Sequence, residues 1–339
     1  MNEREHMVAS FLSASGWSDA RRSALAGDAS SRRYLRLTRL SGETSLLMEA
    51  PREMNESVRS FLTIARHLGA LGMSAPTILA EDRAQGLVLL EDFGDALFAR
   101  LLDRSPEEEV TLYGAAAEAL AVVQRTAPPS GLIRFDPRHM ADLIRIVFDW
   151  YRPAITCGAR SETDDFVILV EQILAELVPD PTVLALRDFH AENLIWLPDR
   201  SGPACVGLLD FQDAVIAHPA YDLVSLLHDA RRDIADETRA ATTRRFLDLT
   251  GHDDECFAPA AAALSAQRNL RILGVFARLA LRDGKPGYLR FMPRVWRLLL
   301  RDLAHPRLAA LEGRVLRDLP APDATALARL EARCATPAH

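Results

Sequence analysis

Residues 186–197 read LRDFHAENLIWL, and the fold is best worked out from this stretch. Asp188, His190, Glu192 and Asn193 fall within six positions, and an apolar run follows directly. A capped surface turn would explain such a cluster taken alone, because short polar side chains favour turns. The alternative is a loop that presents reactive groups and leads into a buried strand, and the neighbouring sequence favours it.

Three polar side chains have the chemistry that phosphoryl transfer requires. Asp188 and Asn193 stand five residues apart, and Asp210 follows seventeen residues later, at the end of a second apolar run. One carboxylate can orient and deprotonate a hydroxyl, while oxygen atoms from two places can hold Mg²⁺ against the phosphates of a nucleotide. Protein kinases arrange Asp, Asn and an Asp-Phe-Gly motif in this order, although here the last motif reads Asp-Phe-Gln.

The first ninety or so residues are predicted to be strand-rich with one helix. Residues 32–40 alternate apolar and polar side chains, a Ser-Gly-Glu turn follows, and residues 44–51 read as a second strand. Residues 52–72 carry apolar side chains at helical spacing and end at glycines. Two further strands are expected at residues 77–80 and 87–91.

The remainder of the chain is predicted to be mainly helical. Helices are expected over 96–103, 106–125, 140–150 and 163–177, strands over 183–186 and 205–209, and helices again from Tyr221 onward. A short hinge at residues 91–94 separates the two patterns. We therefore expect an α+β fold of two lobes, with a strand-rich N-terminal lobe over residues 1–91 and a mainly helical C-terminal lobe over residues 92–339.

Composition limits the classes of function. The chain has 339 residues, of which 49% are hydrophobic and 26% are charged, so a sizeable core is expected. A net charge of -7 argues against nucleic acid as a partner, because binding to backbone phosphates needs a basic face. A small-molecule substrate is the more natural expectation.

Cysteine spacing and hydropathy indicate a reduced, cytoplasmic protein. The four cysteines are far apart and form no pair typical of a zinc site, so free thiols are expected. The N-terminus lacks the pattern of a signal peptide, and no apolar run is long enough to span a bilayer. We expect no membrane partner.

The strings LRDFHAENLIWL, VGLLDFQDAV and HPAYDLVSLLHDARRD resemble the aminoglycoside phosphotransferase-like family, a branch of the kinase fold that acts on small molecules. The similarity covers essentially the whole chain, including GDASSRRYLRL and MEAP near the N-terminus. It implies a bilobed protein-kinase-like fold, ATP and Mg²⁺ as cofactors, and a monomer. Among family members, those that phosphorylate the anomeric hydroxyl of N-acetylmuramate or N-acetylglucosamine in peptidoglycan recycling are most similar.

The resemblance assigns roles to individual residues. It implies that Asp188 is the catalytic base, that Asn193 and Asp210 are magnesium ligands, and that Asp222 braces the catalytic loop from a helix. One departure is Leu186, which stands where the family usually has a histidine. The implied nucleotide-binding residues lie in the loop over the phosphates and in the hinge: Gly27, Ser30, Ser31, Arg32, Arg33, Glu91, Asp92 and Phe93.

The lysine that kinases use to grip the α and β phosphates is absent. The chain has a single lysine, Lys285, and Met48 or a neighbour stands on the predicted second strand where the kinase lysine would lie. Arginine presents a planar fork instead of a point charge, so it is not a simple replacement. Arg32 or Arg33 is our candidate for the missing cation. Its acidic partner is then expected on the following helix, at Glu53 or Glu56.

The substrate end of the site is predicted from proximity in sequence. His190, Glu192 and Asp213 follow the base and a metal ligand closely enough to bind sugar hydroxyls, although a solvated loop would equally contain them. Trp150 could stack on a sugar ring and Arg152 could pair with the carboxylate of muramate, while core packing is the alternative for the aromatic residue.

Two other functions remain open at this point. A kinase of a different hydroxyl, on an aminoglycoside, choline or homoserine, would share every catalytic feature. A nucleotide-binding pseudokinase that regulates a partner is suggested by the absent lysine alone. The retained base and metal ligands speak against the pseudokinase.

Overall fold

The computed structural model describes residues 3–25, 32–51, 55–156, 163–178 and 181–334, with the backbone alone for residues 55–57. These residues form two compact units that are interleaved in sequence. The first comprises residues 1–125 and 186–214, and the second comprises residues 126–185 and 215–339. The lobe boundary predicted at residues 91 and 92 stays a prediction.

The strands of the described residues are β1 (Arg21–Ala24), β2 (Arg33–Thr38), β3 (Thr44–Glu49), β4 (Ile78–Asp82), β5 (Leu87–Glu91), β6 (Val183–Ala185), β7 (Leu194–Trp196), β8 (Val206–Leu208) and β9 (Val215–Ala217). The helices are α1 (Glu3–Ala14), α2 (Asn55–Ala70), α3 (Phe98–Arg104), α4 (Glu109–Val123), α5 (Pro137–Leu143), α6 (Arg152–Ile155), α7 (Thr163–Leu177), α8 (Ala220–Leu227), α9 (Asp236–Thr250), α10 (Asp254–Leu281), α11 (Met292–Leu303), α12 (Ala309–Asp318) and α13 (Ala324–Glu331).

The first unit is built on a five-stranded antiparallel sheet with the strand order β1-β2-β3-β5-β4. Its side chains alternate between two faces, as the sequence predicts for β2. Leu35 and Leu37 of β2 pack with Leu47 and Leu89 against Val8 and neighbouring apolar residues of α1. The opposite face of the sheet is therefore left for the cavity described below.

A short hairpin, β7–β8, places the two predicted metal ligands, Asn193 and Asp210, side by side. Leu194 pairs with Leu208 at the base of the hairpin, and the Leu209 N–H donates to the Asn193 carbonyl oxygen at 3.0 Å. Asn193 directly precedes β7, and Asp210 follows β8 after one intervening residue. The prediction of a loop that leads into a strand is thus confirmed.

The second unit is helical around α10, which contacts α5, α7, α8, α11 and α13. The helix predicted over residues 140–150 is wrong as a single helix, because α5 ends at Leu143 and a π-helical turn occupies Val147–Tyr151. At this break α10 comes very close: a Cβ on Gly274 would stand 2.5 Å from the backbone carbon of Ile146. The apolar periodicity continues through the break because the same side stays buried.

Other features extend or confirm the sequence predictions. The helix α1 and the short strands β1 and β9 were not predicted, whereas α7 and the C-terminal helices were. The described cysteines Cys205, Cys256 and Cys334 are free, as expected. Within the described ranges, every helix falls short of the length and hydropathy that a bilayer crossing requires.

His218 is kept neutral inside the second unit. Its Nδ1 accepts the Ala220 N–H at 3.1 Å, and its ring lies 6.3 Å from the Phe257 ring between centroids. Burial, with a smaller contribution from His252, lowers the pKa of His218 from 6.5 to about 4. The folded protein therefore binds a proton here only at much lower pH than the unfolded chain does.

The contribution of neutral His218 to the free energy of unfolding should be fully present above about pH 6.5. It should be lost as the pH falls towards 4, and the loss should amount to roughly 3 kcal/mol at most. His218→Asn keeps an acceptor near the Nδ1 position and removes the titrating ring. Urea unfolding of both proteins between pH 8 and pH 4.5 measures the effect. The variant should show the shallower decline, and parallel curves would contradict this assignment.

Candidate active site

The loop that carries Asp188 is closed by its own hydrogen bonds. The Asp188 N–H donates to the Leu186 carbonyl oxygen at 3.0 Å, and Asn193 Nδ2 donates to the Asp188 carbonyl oxygen at 2.9 Å. The Asp188 carboxylate itself makes no hydrogen bond to the described residues, nor does Asn193 Oδ1. Both oxygen-bearing groups are thus available to a ligand.

Asp210 brings a second carboxylate near the first. Gln212 Nε2 donates to Asp210 Oδ1 at 2.7 Å. Burial raises the pKa of Asp210 above its usual value even though water reaches it from the cavity; the charges of Asp188 and Asp213 raise it further, while Gln212 and Arg32 oppose the rise. Gln212 and Arg32 therefore offset the burial and the neighbouring negative charges only in part.

The backbone is strained at both ends of this arrangement. Among the described residues other than glycine, Arg187 and Asp210 have positive φ angles, 72° and 55°. Such a conformation costs on the order of 1–3 kcal/mol in a residue with a Cβ and persists where the surroundings enforce it. The strain thus falls at the residue before the predicted base and at a predicted metal ligand.

A cavity of about 330 Å³ in the first unit contains most of these groups. Its apolar walls include Leu46 and Leu90 from the free face of the sheet, and Phe93, Ile195 and Phe211 from the hinge and the hairpin. Its polar lining includes Arg32, Tyr34, Arg36, Glu91, Glu192, Asn193 and Asp210. A slot with apolar walls and a few converging polar groups is the usual form of a small-molecule site.

The structure distinguishes the two candidate arginines. Arg32 is buried, with 6% of its surface exposed, and its side chain is hydrogen-bonded to Tyr34. Its charge lies near enough to Asp210 to lower the pKa of that carboxyl. Arg33 is exposed and does not line the cavity. Of these two arginines, Arg32 is the one that lines the cavity near Asp210.

Met48 lies where the kinase lysine was expected. It is fully buried on β3 and pairs with Tyr34 on β2, so both side chains lie on the cavity face of the sheet. Burial raises the pKa of the Tyr34 phenol above its usual value, and Asp210 adds to the rise while Arg32 opposes it. The phenol therefore stays protonated beside the two charged groups.

The hinge, residues 91–94, is held by two arginines. Arg36 Nε lies 2.7 Å from Asp92 Oδ2, and Arg36 Nη1 lies 2.8 Å from Asp95 Oδ2. Arg200 pairs with Glu91. Glu91 N–H donates to Thr77 O and Gly94 N–H donates to Asp92 Oδ1, whereas Phe93 N–H has no partner in the described part of the chain. The Phe93 N–H is thus a free backbone donor of the hinge.

The other predicted residues fall in three groups. Glu192 lines the cavity, Asp213 is exposed in the same unit, and His190 is buried, with 7% of its surface exposed. Trp150, Arg152 and Asp222 belong to the second unit, where Arg152 Nε donates to the Asp318 carbonyl oxygen at 2.9 Å and Asp222 is fully buried. Their roles stay predictions. Outside the described residues lie Gly27, Ser30, Ser31, Glu53 and the side chain of Glu56.

Tyr34, Arg36 and Arg200 are parts of this site that sequence reasoning missed. Tyr34 and Arg36 follow Arg32 at every second residue, so the alternation of β2 could have placed all three on one face. Arg200 lies 109 residues from Glu91, and the sequence holds no signal for that pairing.

A model of the phosphotransferase enzyme family matches residues 21–261. The chain belongs to this family. A curated N-acetylmuramate/N-acetylglucosamine kinase of Caulobacter vibrioides is 41% identical, over 92% of this chain and 96% of that protein. A kinase of the same name from Pseudomonas aeruginosa is 31% identical, over 91% and 92% respectively. The family predicted from the sequence is confirmed, and this phosphotransferase is an enzyme.

Solved structures of other small-molecule kinases confirm the predicted kinase-like α+β fold. A choline kinase of Streptococcus pneumoniae aligns with a TM-score of 0.61 at 14% identity, over 91% of this chain and 100% of that one. The aminoglycoside phosphotransferase APH(2'')-Ib with bound ADP aligns with a TM-score of 0.60 at 14% identity, over 91% and 98%. At this identity the likeness concerns the fold alone.

Proposed function

We propose that this phosphotransferase uses ATP to phosphorylate the anomeric hydroxyl of N-acetylmuramate, N-acetylglucosamine or both, in peptidoglycan recycling. The observation that carries the proposal is that the carboxylates of Asp188 and Asp210 interact electrostatically beside a cavity of about 330 Å³. The chain is also 41% identical to a curated kinase of that name. Near-complete coverage of both chains supports carrying over the activity.

Asp188 is the proposed base. The hydrogen bonds of Asp188 within the described residues involve its backbone, so its carboxylate is available to accept the proton of a sugar hydroxyl. A hydroxyl is a poor nucleophile, and most of the rate enhancement must come from holding the reactants in place and stabilising charge. The base is required late in the transfer, when the attacking oxygen has become acidic.

Asn193 and Asp210 fit a magnesium site. Asn193 Oδ1 is free of partners among the described residues, and the negative charges of Asp188 and Asp213 lie near Asp210. No cluster of three or more His, Cys, Asp or Glu side chains suited to a metal occurs within the described ranges. Magnesium needs no such cluster, because one or two protein oxygens complete its shell together with waters and substrate phosphates. When bound, it would neutralise charge on the phosphates.

The nucleotide is proposed to lie in the cavity of the first unit. The free N–H of Phe93 suits an acceptor nitrogen of adenine, and Leu46, Leu90 and Phe211 supply apolar surface for the ring. Arg32, beside Asp210, is proposed to bind the phosphates in place of the kinase lysine. Sugar contacts are proposed for Glu192, His190, Asp213, Trp150 and Arg152.

A coupled ADP-release assay with Mg-ATP tests the proposal by comparing N-acetylmuramate, N-acetylglucosamine, kanamycin and choline. We expect ADP release that depends on one or both sugars, with an anomeric phosphate signal in the phosphorus NMR spectrum of the product. Release with kanamycin or choline alone would transfer the assignment to another hydroxyl. Nucleotide binding without turnover on any acceptor would favour a pseudokinase.

A further inference from the structure

The turn of the β7–β8 hairpin carries an arginine to the hinge. Arg200 Nη1 donates to Ser74 Oγ at 2.7 Å, and Nη2 pairs with Glu91 Oε1. The guanidinium carbon lies 5.0 Å from the centroid of the Phe93 ring. The Arg200 side chain therefore contacts both ends of the segment Glu91–Phe93, which is proposed to bind the adenine base.

Both carboxylate oxygens of Glu91 are engaged by protein side chains. Its second carboxylate oxygen accepts from Thr77 Oγ1 at 2.7 Å, so Thr77 and Arg200 together bind both oxygens. The Glu91 N–H donates to the Thr77 carbonyl oxygen at 2.9 Å. These contacts fix the backbone at Glu91 from one side.

Phe93 is packed between the arginine and the hairpin. A Cβ on Gly207 of β8 would lie 3.0 Å from Phe93 Cδ2, so the ring rests directly on the strand where a side chain is missing. A cation over an aromatic face adds attraction beyond simple packing. The Phe93 side chain is therefore held between Arg200 and β8.

The same hairpin carries Asn193 and Asp210 at its base. The hinge residue proposed to bind adenine, Phe93, and the proposed metal ligands are thus connected to the same hairpin. Arg200 makes the connection to the hinge. Metal ligation at the hairpin base does not involve Arg200, since its contacts are with Ser74, Glu91 and Phe93.

We propose that Arg200 is a positioning residue for base recognition. It holds Glu91 and Phe93 so that the free hinge N–H faces the adenine, and it contributes to nucleotide affinity through the base and not through the phosphates. This inference rests on the proposed function in so far as the nucleotide occupies the cavity at the hinge.

The test separates the affinity for the adenine base from the affinity for the phosphates. In Arg200→Gln we expect the KM for ATP and the dissociation constant of ATP to rise about tenfold, because a charge-assisted pair and a stacked cation are lost together. The kcat should stay within about twofold, and inhibition by magnesium tripolyphosphate, which has no base, should be unchanged. Arg200→Lys keeps the charge without the planar fork and should lie between.

Arg39 is the matched control, since it pairs with Glu43 and lies 4.0 Å from the centroid of the Trp17 ring in the same unit, away from the cavity. Arg39→Gln should leave both ligands unaffected. An equal loss for ATP and tripolyphosphate, or an unchanged ATP affinity, would overturn the proposal. If the wild-type protein binds ATP but phosphorylates no sugar, the proposed function fails, while the binding constants still decide the role of Arg200.

Discussion

Asp188→Asn is expected to lower kcat about 10³-fold while the KM for ATP stays nearly constant, because removing a general base typically costs 10²- to 10⁴-fold. The amide is close in size and cannot accept the proton of the sugar hydroxyl. The Asp188 backbone carbonyl, which receives Asn193 Nδ2, is unchanged by the substitution. The loop should therefore keep its conformation, and steady-state kinetics with a thermal melt measure both properties.

A second aspartate provides the control. Asp199 lies in the exposed turn of the β7–β8 hairpin, and Asp199→Asn should keep the activity of the wild-type enzyme. Near wild-type turnover in Asp188→Asn would reject Asp188 as the base. A parallel loss of melting temperature would show instead that the variant is misfolded.

Arg32→Ala is expected to lower kcat/KM for ATP about 10²-fold, the usual effect of removing a preorganised group that stabilises developing charge. Arg32 is the buried cation beside Asp210. Arg33→Ala is the matched control, since Arg33 is adjacent and exposed. Steady-state kinetics should show a kcat/KM for ATP close to the wild-type value in Arg33→Ala and about 10²-fold lower in Arg32→Ala. Equal losses in the two variants would contradict the assignment.

Restoring a lysine offers a stronger test of the same idea. Met48 shares the cavity face of the sheet with Tyr34, the residue that binds Arg32. In the Arg32→Ala background, Met48→Lys should recover at least about tenfold in kcat/KM, because an ammonium would again stand near the phosphates. Failure to recover in a variant that still binds ATP would mean that Arg32 acts in another way.

The sequence predicted the parts of this molecule that depend on short-range patterns. Strand β2 follows from the alternation of apolar and polar side chains, because one face of the sheet packs on α1 and the other lines the cavity, and β3 follows from the stretch after the Ser-Gly-Glu turn. Asp188, Asn193 and Asp210 were found because their spacing reflects a loop and a hairpin with little freedom in length. Asp188 raises the pKa of Asp210, which agrees with the prediction that the two carboxylates belong to one site.

The parts that depend on distant neighbours were not predictable. Apolar spacing could not show that the helix expected over residues 140–150 breaks after Leu143, since burial continues through the π turn. Arg200 resembles any surface arginine in sequence, and its partners Glu91 and Ser74 are more than one hundred residues away. The choice between Arg32 and Arg33 required knowledge of which face each occupies.

Because Met48 stands in place of a lysine, this enzyme should escape detection by reagents that label lysines. Nucleotide analogues that carry an acyl phosphate label kinases by transferring an acyl group to a lysine amine beside the phosphates. The cavity of this enzyme has no lysine in its lining, and Lys285, the only one in the sequence, belongs to the second unit. A proteome survey based on such reagents would pass over this kinase even when its nucleotide site is fully functional, whereas Met48→Lys would make it visible.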